Sequence, residues 1–309
     1  MLALIGISSV LSNIAMTQGF KALRRQITLS IVLSTALLLA GCTSLSSLFF
    51  YPQTVWISTP ADAEVEYQDV WLTANDGTGI HAWWMPAQST QTDSNVMLLY
   101  LHGNAENISS HSHSIYWLPK NGVSVLALDY RGFGASEGKA LMPDVLQDIE
   151  AAAAWMKQQY PDKELIILGQ SIGSALAINF AAQAASEYDI KALVLDAPFT
   201  GFPAVARSAM SSNIIGWFIW PFTVLVPNRW DPIKKVADID LPVLIMHSPK
   251  DKVVPYKQGK KLYKHWQQEY PAQTHCWLES KGSHVMSFAF PELRQATLDF
   301  VRTKECGKQ

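Results

Sequence analysis

The amino-acid sequence predicts an α/β fold, a mostly parallel, doubly wound sheet with helices on both of its faces. Short apolar runs alternate along the chain with segments of helix length, which is the order that specifies such a sheet. Most of these runs are apolar at every position, as in parallel strands that are covered on both faces. The composition agrees, because 49% hydrophobic and 16% charged residues are typical of a globular chain.

Eight strands are predicted in chain order. Residues 65–72 and 80–85 form an antiparallel hairpin, joined by a turn at Asn75, Asp76 and Gly77 in which the glycine supplies a positive φ. The six later strands are the apolar runs at 96–101, 123–128, 165–168, 192–195, 243–246 and 274–278. We therefore expect an eight-stranded sheet that is parallel except at its start.

Prolines mark where the intervening helices begin. A proline in the first turn costs no hydrogen bond, because the backbone amide there has no partner inside the helix. Pro143 opens a helix that extends to about residue 159, Pro255 opens one that extends to about residue 268, and Pro291 lies in the first turn of the last helix.

One interval, between residues 200 and 241, is too long for a simple crossover, which needs about a dozen residues. Its aromatic residues are Phe202, Trp217, Phe218, Trp220, Phe222 and Trp230. The apolar run within it is too short and too interrupted by proline to span a membrane. Two interpretations stay open: an extra pair of core helices, or a small helical cap at about 201–240 that offers an apolar surface to a substrate.

The first 41 residues look like an export signal. Lys21, Arg24 and Arg25 precede an apolar run over 27–40, and no acidic residue is present. The run is shorter than the ~20 residues of a bilayer-spanning helix. It leads into Leu-Ala-Gly-Cys ending at Cys42, which resembles the lipobox of bacterial lipoproteins.

The lipobox resemblance implies cleavage before Cys42 and a lipid on its thiol. Thr43 follows in place of an aspartate that would favour the inner membrane, so we expect the periplasmic face of the outer membrane. An uncleaved anchor is the alternative, and a start at Met1 or at Met16 stays open. The expected parts are a signal peptide over 1–41, a tether over 42–62 and a folded domain over 63–309.

No cofactor, metal or nucleic-acid site is predicted. The third glycine of a dinucleotide fingerprint after Gly132 and Gly134 comes one place late, and neither HExxH nor CxxC occurs. The 24 basic and 26 acidic residues give a formal net charge of −2, which offers no basic face for DNA or RNA. Cys276 and Cys306 are interpreted as unpaired thiols in preference to a disulfide, since the sequence does not give their separation.

Gly169, Ser171 and Gly173 form a G-x-S-x-G pattern. The pattern follows the strand over 165–168 and precedes a helix of small residues over 174–185. A serine hydroxyl stands clear of a sheet only on a sharp turn, where side chains two positions before and after it would collide with the crossing helix. The context therefore predicts Ser171 as a nucleophile.

A serine nucleophile needs a base that takes its proton and a third group that orients the base. Asp251 follows the strand over 243–246, and His284 follows the last strand, so the chain order is serine, acid, histidine. We predict His284 as general base and then acid, with Asp251 orienting its imidazole. Asp196, also at a strand end, is the rival acid, and Asp251 has the alternative role of capping the next helix.

The tetrahedral oxyanion of acyl transfer needs hydrogen-bond donors that are already in place. One predicted donor is the backbone N–H of Ile172, directly after the nucleophile. The second is the N–H of Asn104, in the loop after the strand over 96–101, where Gly103 lets the backbone bend. His102 is expected to support this loop and not to act as the base.

Together these motifs resemble the α/β-hydrolase superfamily. HGNAEN at 102–107, DYRGFGASEG at 129–138, GQSIG at 169–173, the Asp251 loop and the pair Ser283-His284 are similar to the branch that includes eukaryotic protein depalmitoylases and serine aminopeptidase-like proteins. The resemblance implies the α/β-hydrolase fold and a serine hydrolase without a cofactor. It would cleave small acyl esters or thioesters through an acyl-enzyme on Ser171. Ser248 departs from the family, which usually has glycine after the histidine at 247.

Two other functions stay open from the sequence. A serine peptidase ranks lower, because no acidic pocket for a substrate amine is recognisable. A non-catalytic envelope lipoprotein, with the fold used for binding, is opposed by the complete set of predicted triad residues. In each case the expected contact with a membrane is the lipid anchor, and the sequence leaves the oligomeric state open.

Overall fold

The computed structural model describes residues 45–88, 95–210 and 226–307, with a few positions between 24 and 30. The chain divides into two compact units, Met1–Leu45 and Ser46–Gln309. The lipobox cysteine Cys42 and most of the predicted signal peptide lie outside the described residues, as do Trp217, Phe218, Trp220 and Phe222 of the predicted cap. In the described part of the chain, no helix combines the length and the apolar character needed to cross a membrane.

The second unit is built on an eight-stranded sheet, as predicted. Its strands lie in the order β1-β2-β4-β3-β5-β6-β7-β8. β2 is antiparallel to both of its neighbours, and all other neighbouring pairs are parallel. The bounds are β1 Gln68–Thr73, β2 Gly79–Met85, β3 Val96–Leu101, β4 Ser124–Leu128, β5 Glu164–Gln170, β6 Ile190–Asp196, β7 Val243–His247 and β8 His275–Glu279.

Seven α-helices in the described residues connect or flank these strands. They are α1 Ile108–His111, α2 Trp117–Lys120, α3 Val145–Gln159, α4 Ile172–Ala184, α5 Phe202–Met210, α6 Tyr256–Glu269 and α7 Pro291–Thr303. The three helices placed from proline positions begin within two residues of the prediction. Gly77 at the tip of the β1–β2 hairpin has a φ of 88°, the left-handed value that the turn requires.

Two apolar layers cover the two faces of the sheet. In β5 the side chains of Leu165 and Ile167 belong to one layer, and those of Ile166 and Leu168 to the other. Helices α3, α4 and α6 contribute to the first layer, and α1, α2 and α7 to the second. This two-sided burial is the reason that the parallel strands are apolar at every position.

The chain order places the site at one end of the sheet. β3 lies between β4 and β5 in the sheet. The chain passes from β3 to β4 on one side and then crosses back to β5 on the other side, so the direction of the connections reverses at β3. In doubly wound sheets, ligands bind outside the carboxyl ends of the strands at such a switch point. The loop after β3 carries Asn104 and the turn after β5 carries Ser171, so two predicted elements of the site meet there.

The two cysteines of the described chain form a disulfide. The Cα atoms of Cys276, in β8, and Cys306, after α7, lie 5.4 Å apart. The prediction of two unpaired thiols is therefore wrong. Helix α7 packs on the sheet face that includes Cys276, and it returns the polar tail to β8, a proximity that sequence patterns do not encode.

Candidate active site

Ser171 lies on a strained turn between β5 and α4. Its φ of 54° and ψ of −115° are unfavourable for a residue with a side chain. A Cβ atom on Gly173 would lie 2.0 Å from the carbonyl oxygen of Leu101, and one on Gly169 would lie 2.4 Å from the carbonyl oxygen of Gly173. Only glycine fits at these two positions, which explains the G-x-S-x-G pattern.

The structure brings the predicted serine, histidine and aspartate together. The Nε2 atom of His284 lies 2.9 Å from Ser171 Oγ. Its Nδ1 atom lies 2.7 Å from Asp251 Oδ2. Both distances are hydrogen bonds, and each imidazole nitrogen faces a different partner, as proton transfer through a histidine requires.

Asp251 accepts hydrogen bonds on both of its carboxylate oxygens. Oδ1 accepts from the backbone amides of Val253, at 2.8 Å, and Val254, at 2.9 Å. His247 Nε2 lies 3.3 Å from Oδ2. Burial alone would raise the pKa of Asp251, but the hydrogen bonds from His247 and His284 hold it well below its usual range. The carboxylate is therefore ionised at neutral pH, and the amides that it binds precede α6.

Asp196, the rival acid, is bonded to other partners. Ser287 Oγ donates to its Oδ1 atom at 2.6 Å, and Gln170 Nε2 donates to its Oδ2 atom at 3.1 Å. Burial raises its pKa. The side chain joins the loop after His284 to β5, the strand that ends directly before Ser171. The Asp196 side chain therefore holds these two elements together, whereas the Asp251 side chain contacts the imidazole of His284.

Ser248 connects the loop that carries Asp251 to the loop that carries His284. Its hydroxyl donates to the carbonyl oxygen of Gly282, two residues before His284. The backbone amide of Lys250 donates to the same hydroxyl at 3.0 Å. The residue that departs from the family pattern thus adds a bond between the two loops, which glycine could not make.

Val285 has a φ of 50°, a strained conformation for a β-branched residue.

The predicted oxyanion donors lie on two elements. Ile172 begins α4 directly after Ser171, and Asn104 lies in the loop over 102–107, here named the oxyanion loop. Asn104 Oδ1 accepts from the backbone amide of Ala105 at 2.8 Å. His102 is fully buried, with Nδ1 2.7 Å from the carbonyl oxygen of Gly103 and Nε2 3.5 Å from Asp129 Oδ1.

A cavity with a volume of about 180 Å³ opens above Ser171 and His284. Asn104 and Gly103 form part of its wall. Most of the remaining side chains are apolar: Phe49, Ile172, Phe199, Val205, Val253, Val254 and Val285. Val205 comes from α5, in the interval predicted as a cap. No three His, Cys, Asp or Glu residues are placed to hold a metal ion in the part of the chain that the structure describes.

Comparison with known proteins assigns the family. The family model of serine aminopeptidase, S33, matches residues 92–232. The protein YfhR of Salmonella typhi, which is described as uncharacterized, is 31% identical over 228 residues, covering 70% of this chain and 74% of its own. The chain belongs to the α/β-hydrolase superfamily. This confirms the family resemblance of the motifs; the lipoprotein signal stays a prediction.

Two further proteins are similar to this α/β hydrolase. The lysophosphatidylserine lipase ABHD12 of Danio rerio is 30% identical over 237 residues, covering 69% of this chain and 62% of the relative. The esterase Pf2001 of Pyrococcus furiosus superimposes with a TM-score of 0.68 at 24% identity, covering 84% of this chain and 99% of the esterase. The second comparison shows the shared fold.

Sequence reasoning missed one part of the hydrolase site. Phe49 lines the cavity, and the backbone amide of Tyr51 donates to Asn104 Oδ1 at 2.9 Å. Both residues fall in the stretch predicted as a tether, and the structure includes them in the same compact unit as the sheet. The available signal was the run Phe49, Phe50 and Tyr51, since three successive aromatic residues are unusual in a solvated linker.

Proposed function

We propose that this α/β hydrolase is a serine hydrolase that cleaves carboxylic esters or thioesters of acyl groups. The observation that carries the proposal is the pair of hydrogen bonds on His284, 2.9 Å to Ser171 Oγ and 2.7 Å to Asp251 Oδ2. The esterase and the lipase to which the chain is similar support ester substrates.

The proposed reaction runs in two halves. His284 Nε2 takes the proton of Ser171 as Oγ attacks the carbonyl carbon, and the oxyanion accepts bonds from the amides of Ile172 and Asn104. The tetrahedral intermediate collapses when the imidazolium returns its proton to the leaving alcohol or thiol. Water then attacks the acyl-enzyme with the same histidine as base, which releases the acid and restores Ser171. Asp251 holds the imidazole and stabilises its positive charge.

The lining of the cavity favours an acyl group as the part that is transferred. Seven apolar side chains line the cavity that includes Ser171, and burying each methylene of a chain against them gains about 0.8 kcal/mol. Val205 supports the proposal that residues 201–240 cap the site.

We also propose that a lipid on Cys42 holds the enzyme on the periplasmic face of the outer membrane.

The anchor is tested separately from the chemistry. Cells that express the full chain are fed radiolabelled palmitate, and the wild type is expected to carry the label while Cys42→Ser does not. The variant should also leave the membrane fraction. Label retained by Cys42→Ser would contradict lipidation at this residue, whatever the enzyme does.

The serine mechanism is tested with Ser171→Ala. We expect it to lower hydrolysis of p-nitrophenyl butyrate by about 10⁴-fold or more, the loss seen when a triad nucleophile is removed. Labelling by a fluorophosphonate should also disappear. Ser283→Ala, an exposed serine next to His284, is the matched control and should keep both activities. Undiminished labelling of Ser171→Ala would contradict the mechanism.

A peptidase is the second candidate, because the matching family model is described as a serine aminopeptidase. An aminopeptidase site usually offers a negative charge to the free amine of its substrate, and none of the described residues that line the cavity is acidic. A panel of aminoacyl p-nitroanilides against p-nitrophenyl esters separates the two. We expect the esters to be cleaved with the higher kcat/KM.

A further inference from the structure

Residues 49–58, here named the N-terminal segment, run along the oxyanion loop. Pro52 pairs with Glu106 as a parallel β-bridge, and the backbone amide of Gln53 donates to the carbonyl oxygen of Glu106 at 3.1 Å. The carbonyl oxygen of Gln53 accepts from the amide of Gly134 at 2.9 Å. The segment therefore joins the oxyanion loop to the neighbouring turn after β4.

Asn107 fixes the segment from the other side. It is only 1% exposed, and its Nδ2 atom donates to the carbonyl oxygens of Gln53, at 2.9 Å, and Val55, at 2.8 Å. Its Oδ1 atom accepts from the amide of Ser109 and caps α1. Every hydrogen bond that Asn107 donates through its side chain thus goes to the N-terminal segment, while the cap needs only the oxygen.

The oxyanion loop needs support from outside. Ala105 and Glu106 have φ values of 64° and 56°, left-handed conformations that cost roughly 1 kcal/mol or more for residues with a Cβ. The N-terminal segment bonds the loop next to this strain, through Asn104 Oδ1 and the carbonyl oxygen of Glu106. These contacts oppose relaxation of the loop away from its place in the cavity wall, where Asn104 lies.

Phe49 brings the same segment into the cavity. Its ring meets that of Phe202 in α5 edge-on, with centroids 5.0 Å apart, and it forms part of the wall above Ser171. Its neighbour Phe50 points elsewhere, packing on Phe133 with centroids 6.4 Å apart. The two adjacent phenylalanines are therefore a natural pair for comparison, one in the cavity wall and one in the core.

We propose that the N-terminal segment is a functional part of the active site: its backbone positions the oxyanion loop, and Phe49 limits the length of the acyl group. The inference rests on the proposed ester hydrolysis and adds to it. It assigns a positioning role to Asn107 and a specificity role to Phe49. It also implies that a variant that begins at residue 59, and so lacks the whole segment, loses activity for a reason other than release from the membrane.

The positioning role is tested with Asn107→Ser in the full chain. Serine keeps an oxygen that can cap α1 but lacks the two donors to the segment. We expect kcat for p-nitrophenyl acetate to fall about tenfold with KM within twofold, because oxyanion donors act in the transition state. The rate of fluorophosphonate labelling should fall in parallel.

Asn179→Ser is the matched control for this change. Asn179 is 2% exposed, and its Nδ2 atom donates to two carbonyl oxygens, of Ala175 and Trp230, away from the oxyanion loop. It should lower the melting temperature by a similar amount and leave kcat within twofold. Equal losses of kcat in the two variants, or no loss in either, would overturn the positioning role.

The specificity role is tested with Phe49→Ala against Phe50→Ala. A series of p-nitrophenyl esters from acetate to laurate gives the chain length with the highest kcat/KM. We expect Phe49→Ala to move that optimum to a longer chain by two or more carbons, and Phe50→Ala to keep the wild-type optimum. An unchanged or shorter optimum in Phe49→Ala would overturn the role.

The tests separate this inference from the proposed function. Fluorophosphonate labelling of Ser171 reports the same positioning without any ester. If the wild type labels but cleaves no ester of the series, the proposed substrate class fails while the Asn107 comparison still decides the positioning role. If esters are cleaved and Asn107→Ser labels as fast as the wild type, the positioning role fails alone.

Discussion

The two halves of the site are held in different ways. The triad half consists of the loops that carry Asp251 and His284, which are bonded to each other and, through Ser287, to Asp196. Ser248 bonds Gly282, and the amide of Ser280 donates to the carbonyl oxygen of His247 at 3.0 Å. The oxyanion half is the loop over 102–107, which is bonded by residues about fifty positions earlier in the chain.

In the proposed mechanism, specific side chains of the triad half carry the chemistry, whereas contacts in the oxyanion half hold a backbone loop in place. The triad half depends on a few side chains whose functional groups cannot be replaced. The oxyanion half depends on the course of a backbone, which many contacts share. Substitutions in the triad half should therefore act through the identity of one group, whereas the oxyanion half should respond to changes that loosen the loop.

The largest effect is expected for Asp251→Asn. The amide keeps the size of the carboxylate but no longer holds His284 in the required tautomer or stabilises its charge, and kcat should fall by about 10⁴-fold. Asp196→Asn is the matched control, because its oxygen can still accept from Ser287, and its kcat should fall by less than about tenfold. Steady-state rates with p-nitrophenyl butyrate measure both. A larger loss for Asp196→Asn would make that residue the acid and break the comparison.

A smaller effect is expected next to the oxyanion half, where a lower pH should reduce the stability of the fold through His111. Burial and the neighbouring His102 lower the pKa of His111 from 6.5 to about 4. Between these values the unfolded chain binds the proton and the folded chain does not, so this contribution to stability is complete above pH 6.5 and is lost as the pH falls toward 4.

Thermal unfolding from pH 8 to pH 4.5 checks this contribution of His111. We expect the melting temperature of the wild type to fall below pH 6.5, where about 1 kcal/mol corresponds to about 2–4 °C in a domain of this size. The slope should be smaller in His111→Gln, and the two proteins should differ by a constant amount above pH 7. Parallel curves over the whole range would contradict the lowered pKa.

The sheet and the proximity of three predicted site residues were predictable because their signals are local. Each parallel strand is a continuous apolar run, and Ser171, Asp251 and His284 each follow such a run within a short loop. The glycines at 169 and 173 add a steric requirement that any sequence with this turn must meet. The hydrogen bonds of Asp196 were not predictable, because Ser287 and Gln170 come from elements whose separation only the fold defines.

The support of the oxyanion loop was hidden for a second reason. Residues 49–58 contain no regular α-helix or β-strand beyond an isolated bridge at Pro52, so neither periodicity nor motif distinguishes them from a linker. Their partners in the oxyanion loop are backbone groups of Glu106 and the side chains of Asn104 and Asn107. Backbone bonds leave little trace in residue type, and only the aromatic run at Phe49 indicated burial.

The smallest effect on activity is expected from the disulfide, which joins β8, the strand before the loop of His284, to the tail after α7. Cys276 and Cys306 are 30 residues apart, and closing a loop of this length raises the free energy of the unfolded chain by about 3.6 kcal/mol. Cys306→Ser, at an exposed position, should lower the melting temperature by several degrees. At 25 °C its kcat/KM should stay within twofold of the wild type, and reduced wild type should match the variant in both measurements.

We expect the activity to be kept because the disulfide joins β8 to the tail. His284 is positioned instead by Asp251 and by the bond from Ser248 to Gly282. If Cys306→Ser instead lost activity at a temperature where it is folded, the disulfide would be part of the support of the histidine loop. The triad half would then also depend on a distant segment, and the contrast with the oxyanion half would disappear.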